Sequence, residues 1–456
     1  MSRSSSPVQE LTRMSSKMSD QATANGDATP PSYSSKFFDK GAAAAVSRQI
    51  YFKIVFGGLM MMAIVIFGIF SIYWGALWRI PAHNLPGWVI DFDGGQVGST
   101  VTNALLQSTR GGSKITWTTR SASDFPNGDI DVANSVVNEK IWVAVVINNG
   151  ATSNLNDAVS TADPSYNGTS AVTAYGVEAR NENAYRSFIS PIVQQTMAQI
   201  SSQYARQMAG QLANSSNVAN ILANAPQLII QPVSFTLVNL RPFDVPVASA
   251  VTFVGLIYLL ILSFFIVMIA GGAREASGLE RKLTTRSLIL LRLATSFLAY
   301  FFISLLYSLL SKAFQVPFDR KYGDAGFVLF WMINFVGMLC LGLSLEAMIT
   351  LLTIRFMPFF MILWIITNVS VCFMPIEVLP KFYHYGYAMP FYNVSHTVRS
   401  IVFGSKNTLG LNFGVLVAWI VISCFTLPLF QWFVRRKLVA ASRPVEVVDA
   451  QEKGNQ

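Results

Sequence analysis

The stretch LPGWVIDFDGG, residues 85 to 95, sets Asp91 and Asp93 two apart and runs them into a glycine pair, the opening of an Asp-x-Asp-Gly loop that could hold a divalent cation. A calcium loop of that kind also needs a third oxygen ligand and a glutamate at its twelfth position, and no glutamate stands there. The pattern therefore reads as a turn closing a strand. The three histidines, His83, His384 and His396, are scattered and lack metal-ligand spacing apart from the loose His384/His396 pair. There is no phosphate-loop glycine motif, no dinucleotide fingerprint and no nucleophile elbow. The expectation is a protein that is not an enzyme, with no catalytic residues, no metal and no cofactor.

What remains are polar groups set among apolar ones. Asn334, Ser344 and Glu346 follow one another along one apolar run, and Thr367, Asn368 and Ser370 end the next. An ionisable side chain at membrane depth is costly and by default functional. Glu346 lies near the end of its run, which favours an interfacial carboxylate, and Arg355 is its nearest candidate partner. The loop GGAREASGLERKLTTRS, residues 271 to 287, carries Arg274, Arg281, Lys282 and Arg286. A glycine pair breaks the helix there, leaving a short amphipathic turn on which a cytosolic partner such as a separate ATPase could dock, or a basic loop that only fixes orientation. Asn167, Asn214 and Asn393 open Asn-x-Ser/Thr triplets, candidate N-glycosylation sites.

The elements that must position these groups are set by composition. Of 456 residues 52% are hydrophobic and only 12% charged, about half the charged share of a soluble globular chain, and mean hydropathy is +0.43. Lipid has to solvate that excess. Six runs could each cross a core of roughly 30 Å: Ile54 to Trp78, Val247 to Ala270, Leu288 to Ser311, Ala325 to Leu345, Phe356 to Met374 and Leu411 to Val434. The fourth and fifth, separated only by Glu346 to Arg355, form a hairpin. Arg292 falls inside the third run near its start, where it can snorkel to the interface. Lys and Arg cluster at alternate ends of the runs, so both termini are expected in the cytosol. The net charge of +9 is then topology and attraction to anionic membrane lipid, not nucleic-acid binding. The three cysteines, Cys340, Cys372 and Cys424, all lie in apolar runs, against a disulfide framework.

The expected organisation is a disordered cytosolic tail at 1–47, a first transmembrane helix at 48–78, an extracytoplasmic mixed α/β domain at 79–246, a five-helix membrane domain at 247–437 and a tail at 438–456. The α/β reading rests on alternation of strand and helix patterns from Trp88 to the strand WVAVVI, whose continuous apolar run suits burial on both faces. SPIVQQTMAQISSQYARQMAGQL spaces Ile192, Met197, Ile200, Tyr204, Met208 and Leu212 as one helix face, for packing or for an oligomer contact such as a homodimer.

Between the last two runs lies MPIEVLPKFYHYGYAMPFYNVSHTVRSIVFG, too polar to span and too aromatic for a solvated loop. Its Pro375, Leu379-Pro380, Met389-Pro390, Arg399 and Gly404 resemble the segment that ABC-2 type exporter membrane domains carry before their last span. That resemblance implies a re-entrant or interfacial segment at 375–404 and, with Glu346, candidate translocation residues Pro375, Pro380, Pro390 and Arg399. LPGWVIDFDGG, WVAVVI and NLRPFDVPVASAVTFVGLIYLLILSFF also resemble the fungal nitrosoguanidine-resistance family (DUF3533), related to the phage-infection (YhgE/Pip) proteins. This implies an α-helical polytopic membrane protein, six transmembrane helices and ABC-2-like, that contributes to export of, or resistance to, toxic amphipathic compounds or lipids at the plasma membrane or in the secretory pathway. The alternative is a non-transporting surface scaffold or receptor whose outer domain binds a secreted or cell-wall protein.

Overall fold

A computed structural model describes residues 33–213 and 215–441. Of the expected tails at 1–47 and 438–456, residues 1–32 and 442–456 lie outside the described residues. The chain divides into two compact units, up to Gly68 and from Ile69 on. The first helix, α1 (Ala42–Leu77), starts earlier than the expected Arg48 and includes a π turn at Val65–Phe70.

The α/β module follows: β1 (Leu85–Asp91), α2 (Gln96–Arg110), β2 (Ile115–Arg120), α3 (Asp129–Val137), β3 (Val143–Ile147), α4 (Ala151–Thr161), β4 (Val172–Gly176), α5 (Ser190–Leu212), α6 (Val218–Asn224) and β5 (Phe235–Asn239). The sheet order is β2-β1-β3-β4-β5, parallel throughout except for the antiparallel β3–β4 pair. β3 is wholly buried, and its side chains alternate between two cores. Val143, Val145 and Ile147 join the core under α2, α4 and α5, while Ala144 and Val146 join the one under α3. On α5 the expected Met197, Ile200, Tyr204, Met208 and Leu212 are buried, with Val193 in place of Ile192 at the head of the stripe.

The remaining helices are α7 (Ala250–Ala276), the short α8 (Leu279–Lys282), α9 (Thr285–Ala313), α10 (Ala325–Val369), α11 (Pro390–Phe403) and α12 (Leu409–Ala441). Among the described residues five helices, α1, α7, α9, α10 and α12, are long and apolar enough to cross a membrane. The six expected runs thus occupy five helices, because the fourth and fifth share α10. At about 1.5 Å per residue a straight helix of its 45 residues would be more than twice as long as a bilayer core is thick. It is not straight. Thr353 breaks it at φ 63°, ψ 164°, a region that favours glycine. Beyond the break the chain returns alongside itself. Gly337 packs on Val394 of α11, and Asn368, on the far side of Thr353, accepts a bond from Phe391 N of the same helix at 3.1 Å.

The aromatic segment after α10 divides between the two bodies of packing. Val371, Met374, Ile376, Val378, Leu379 and Tyr383 sit in the module's core, whereas Phe391, Val394, Val398, Ile401 and Val402 of α11 sit among the membrane helices. Pro390 starts α11 and Gly404, at φ 71°, ends it. The stretch is neither span nor loop because it packs on both.

Candidate functional site

Two buried arginine–carboxylate clusters stand out. The first lies among the membrane helices. Glu346 of α10 is 1% exposed, and its Oε1 accepts from Arg292 Nε of α9 at 2.7 Å and from Arg274 Nη2 of α7 at 2.8 Å. Arg292 also donates through Nη1 to Gln431 Oε1 of α12 at 2.5 Å and through Nη2 to the Glu346 carbonyl at 2.5 Å. Three helices therefore meet on one carboxylate, and α12 joins them through Gln431 on Arg292. Two cations face one anion, and two buried atoms, Glu346 Oε2 and Arg274 Nε, have no hydrogen-bond partner among the described residues. Above Arg292, the buried face of α9 continues as Ser296, Tyr300, Ser304, Ser308 and Ser311, one polar residue per turn. Gly342 of α10 lets Tyr300 approach, since a Cβ there would collide with the phenol. Asn334 donates to Ser308 Oγ at 3.2 Å. Small polar residues of this kind let membrane helices pack closely while keeping their hydroxyls bonded.

The second cluster ties the module to α11. Arg399, 4% exposed, donates through Nη1 to Glu182 Oε2 at 2.5 Å and to the Ala179 carbonyl at 3.1 Å, and through Nε to Ser395 Oγ at 3.3 Å. Arg180 lies 3.5 Å over the Trp142 ring, donates to Glu377 at 3.0 Å and to the Ile141 carbonyl at 3.1 Å, and has Glu139 at 4.0 Å. Asn181 and Asn183 both donate to the Phe373 carbonyl, at 3.3 and 3.0 Å. Burial raises the Glu182 carboxyl, but the Arg399 charge and hydrogen bond outweigh it and leave the group below its ordinary value. At Glu139 burial wins over Arg180, and that carboxyl is held above its ordinary value. Between these groups is a cavity of about 20 Å³, lined among others by Arg180, Glu377, Tyr392, His396 and Arg399, with room for a single water.

Residues 58–425 match the model of a family described as "Protein of unknown function (DUF3533)". The chain belongs to this family. A yeast relative, the "Uncharacterized endoplasmic reticulum membrane protein YJR015W" of Saccharomyces cerevisiae, is 27% identical over 93% of this chain and 88% of its own length. No solved structure matches. The DUF3533 chain is a multi-pass membrane protein.

Placed on this DUF3533 fold, the sequence expectations separate. Glu346 is buried inside the protein and does not pair with Arg355, which is exposed. Its partners are Arg274, expected on a docking loop, and Arg292, expected to snorkel; both are buried with it, since an uncompensated carboxylate in the protein interior would be far more costly than the pair. Arg281, Lys282 and Arg286 are exposed. Pro375 and Pro390 are buried, Pro380 partly so, and Arg399 forms the second cluster. Asn167 lies exposed in a turn, and Asn214 is outside the described residues. Asn393 is buried, with its amide donating to the Tyr387 and Met389 carbonyls at 3.0 and 2.8 Å, so in this fold it is a structural amide and not a glycan carrier. At the DFDGG turn, Asp93 accepts from Gly95 N, Gly98 N and Thr152, the bonds of a strand-ending turn. Burial raises its carboxyl, but the Thr152 hydroxyl and these backbone donors lower it further. Sequence reasoning missed Glu182, Arg180, Trp142 and Gln431. The Glu178–Arg186 stretch has a signal, four charges in nine residues beside apolar strand β4, but nothing in it names Arg399 as the partner.

Proposed function

We infer that this is a transporter-like protein of a secretory-pathway membrane, contributing to export of, or resistance to, toxic amphipathic compounds or lipids. The observation that carries the reading is the Arg274–Glu346–Arg292 cluster, which gathers α7, α9 and α10 on one buried carboxylate, holds α12 through Gln431 on Arg292, and leaves two polar atoms unpaired among the described residues. Helices that serve only as an anchor have no need of charges at that depth, and a cluster short of partners can adopt a second arrangement when the helices shift. The fold-back at Thr353 supports six crossings, with both termini in the cytosol and the α/β module on the far side. The endoplasmic reticulum membrane named for the yeast relative supports that compartment. The second cluster would pass motion between the module and α11.

The rival reading, a scaffold whose module binds a secreted or cell-wall protein, is favoured by one feature. A shallow groove of about 510 Å³ runs along α5, lined by Ala198, Ser202, Ala205, Ile230 and Phe235. The two readings part on Glu346→Gln. Transport predicts loss of tolerance to amphipathic toxicants at unchanged membrane abundance; full tolerance in cells carrying this variant would reject it and leave the scaffold.

A further inference from the structure

The end of the bundle at α8 gathers cations that lie far apart in sequence. Arg435 of α12 donates to Thr285 Oγ1 at 3.2 Å and to the Leu283 carbonyl, which joins the start of α9 to the end of α12. Residues 271–292 and 431–437 together carry eight arginines and lysines against two carboxylates, Glu275 and Glu280, both exposed to screening solvent. Beneath this rim is Arg274, only 7% exposed. Its Nη2 is taken by Glu346, and its Nε is buried with no hydrogen-bond partner among the described residues. The carboxylate it shares with Arg292 neutralises one of the two guanidiniums, so a positive charge is left over at a place where an unmatched charge is costly. At the rim, Arg436 lies 5.4 Å over Trp432 and Lys437 lies 4.4 Å over Phe433, with both rings exposed as befits the headgroup boundary.

We propose that this end of the bundle is a binding site for the phosphate of an anionic phospholipid headgroup, with the unpartnered Nε of Arg274 as its buried floor and Arg281, Lys282, Arg286 and Arg435 as its rim. A planar guanidinium with an unused donor is suited to an oxyanion, and the phosphate supplies the charge that the Arg–Glu–Arg cluster lacks. A lipid fits better than a solute because Arg274 lies in the last turn of a helix long and apolar enough to cross a membrane, and the exposed Trp432 and Phe433 near the end of α12 suit a headgroup boundary. The site stands whether or not the protein transports anything.

The test uses the full chain, purified and delipidated, with native mass spectrometry and thermal denaturation as readouts. Phosphatidic acid should be retained and should raise the denaturation midpoint, whereas phosphatidylcholine should do neither. Arg274→Lys keeps a charge for Glu346 but removes Nε, and should weaken phosphatidic acid retention roughly tenfold. The exposed triple variant Arg281→Gln, Lys282→Gln, Arg286→Gln leaves the buried cluster untouched and should weaken retention and flatten its salt dependence. Equal retention of both lipids, or wild-type retention by the triple variant, would overturn the site. Wild-type retention by Arg274→Lys would overturn the buried floor, and stabilisation by millimolar inorganic phosphate to the same extent would overturn the lipid as its source. Loss of tolerance in Glu346→Gln with phosphatidic acid still retained would separate this site from the transport reading.

Discussion

The two clusters are built from the same chemistry and satisfied differently. At the outer one, Arg399 has a carboxylate, a carbonyl and a hydroxyl, and Arg180 has a ring face, a carboxylate and a carbonyl. A single 3-10 turn at 179 and irregular backbone at 141 and 373 supply the acceptors. At the inner one every contributing residue is helical, helix carbonyls are already engaged, and only the Glu346 carbonyl is shared outward. Loops can bring spare acceptors to a buried cation, while packed membrane helices can bring only side chains. The outer cluster is therefore a saturated latch and the inner one an under-filled hub.

That contrast predicts unequal damage. Arg292→Ala leaves Glu346 with Arg274 alone, frees Gln431 and opens the junction of four helices, so the loss should be about 3–5 kcal/mol, the range for breaking a buried pair. Denaturant titration in detergent measures it. If the hub is under-filled, replacing the whole triad, with Arg274→Met and Glu346→Leu added to Arg292→Met, should recover a large part of that loss, because apolar packing can replace a buried ion cluster only when no member is left unpaired. No recovery would mean that the inner cluster is as fully satisfied as the outer. Arg399→Ala should cost less, about 2–3 kcal/mol, since Glu182 stays close to Arg186 and to solvent at the module's edge. Its damage should be local, with amide exchange rising in residues 371–389 and 178–183 while α9 and α12 stay protected; uniform loosening would erase the distinction between latch and hub.

How much of this could be read in advance follows the same division. Elements whose burial comes from their own periodicity were legible: β3 from its unbroken apolar run, α5 from its Met and aromatic stripe, the membrane helices from length and hydropathy. The turn between the fourth and fifth runs was legible as a hairpin, but not as a single residue, because Thr353 has none of the glycine or proline that marks such a break. Strand β4 was not read at all, its five residues VTAYG being short and half small. Ion pairing was the least legible, since Arg292 is 54 residues from Glu346 and Arg399 is 217 from Glu182. Near neighbours such as Arg355 seemed better partners because sequence shows distance along the chain, whereas the cost of burying a charge acts through space.

The mildest test concerns protons at the latch. The Glu182 carboxyl is held below its ordinary value, so in the folded protein it stays charged to lower pH than in the unfolded chain. A group depressed in this way contributes stability that is fully present above its unfolded value and is lost as pH falls through the folded one. The denaturation midpoint of the wild type should thus exceed that of Glu182→Gln near neutrality, and the gap should shrink below about pH 4.3, the ordinary glutamate value. The effect should be smaller than that of Arg399→Ala, because a protonated carboxyl still accepts a hydrogen bond from Arg399. Glu139, raised by burial, acts in the opposite sense, losing stability as pH rises through its folded value, and it is present in both proteins, so the difference between them isolates Glu182. A gap that stays constant across the acid range would show that Glu182 holds α11 by packing and not by charge.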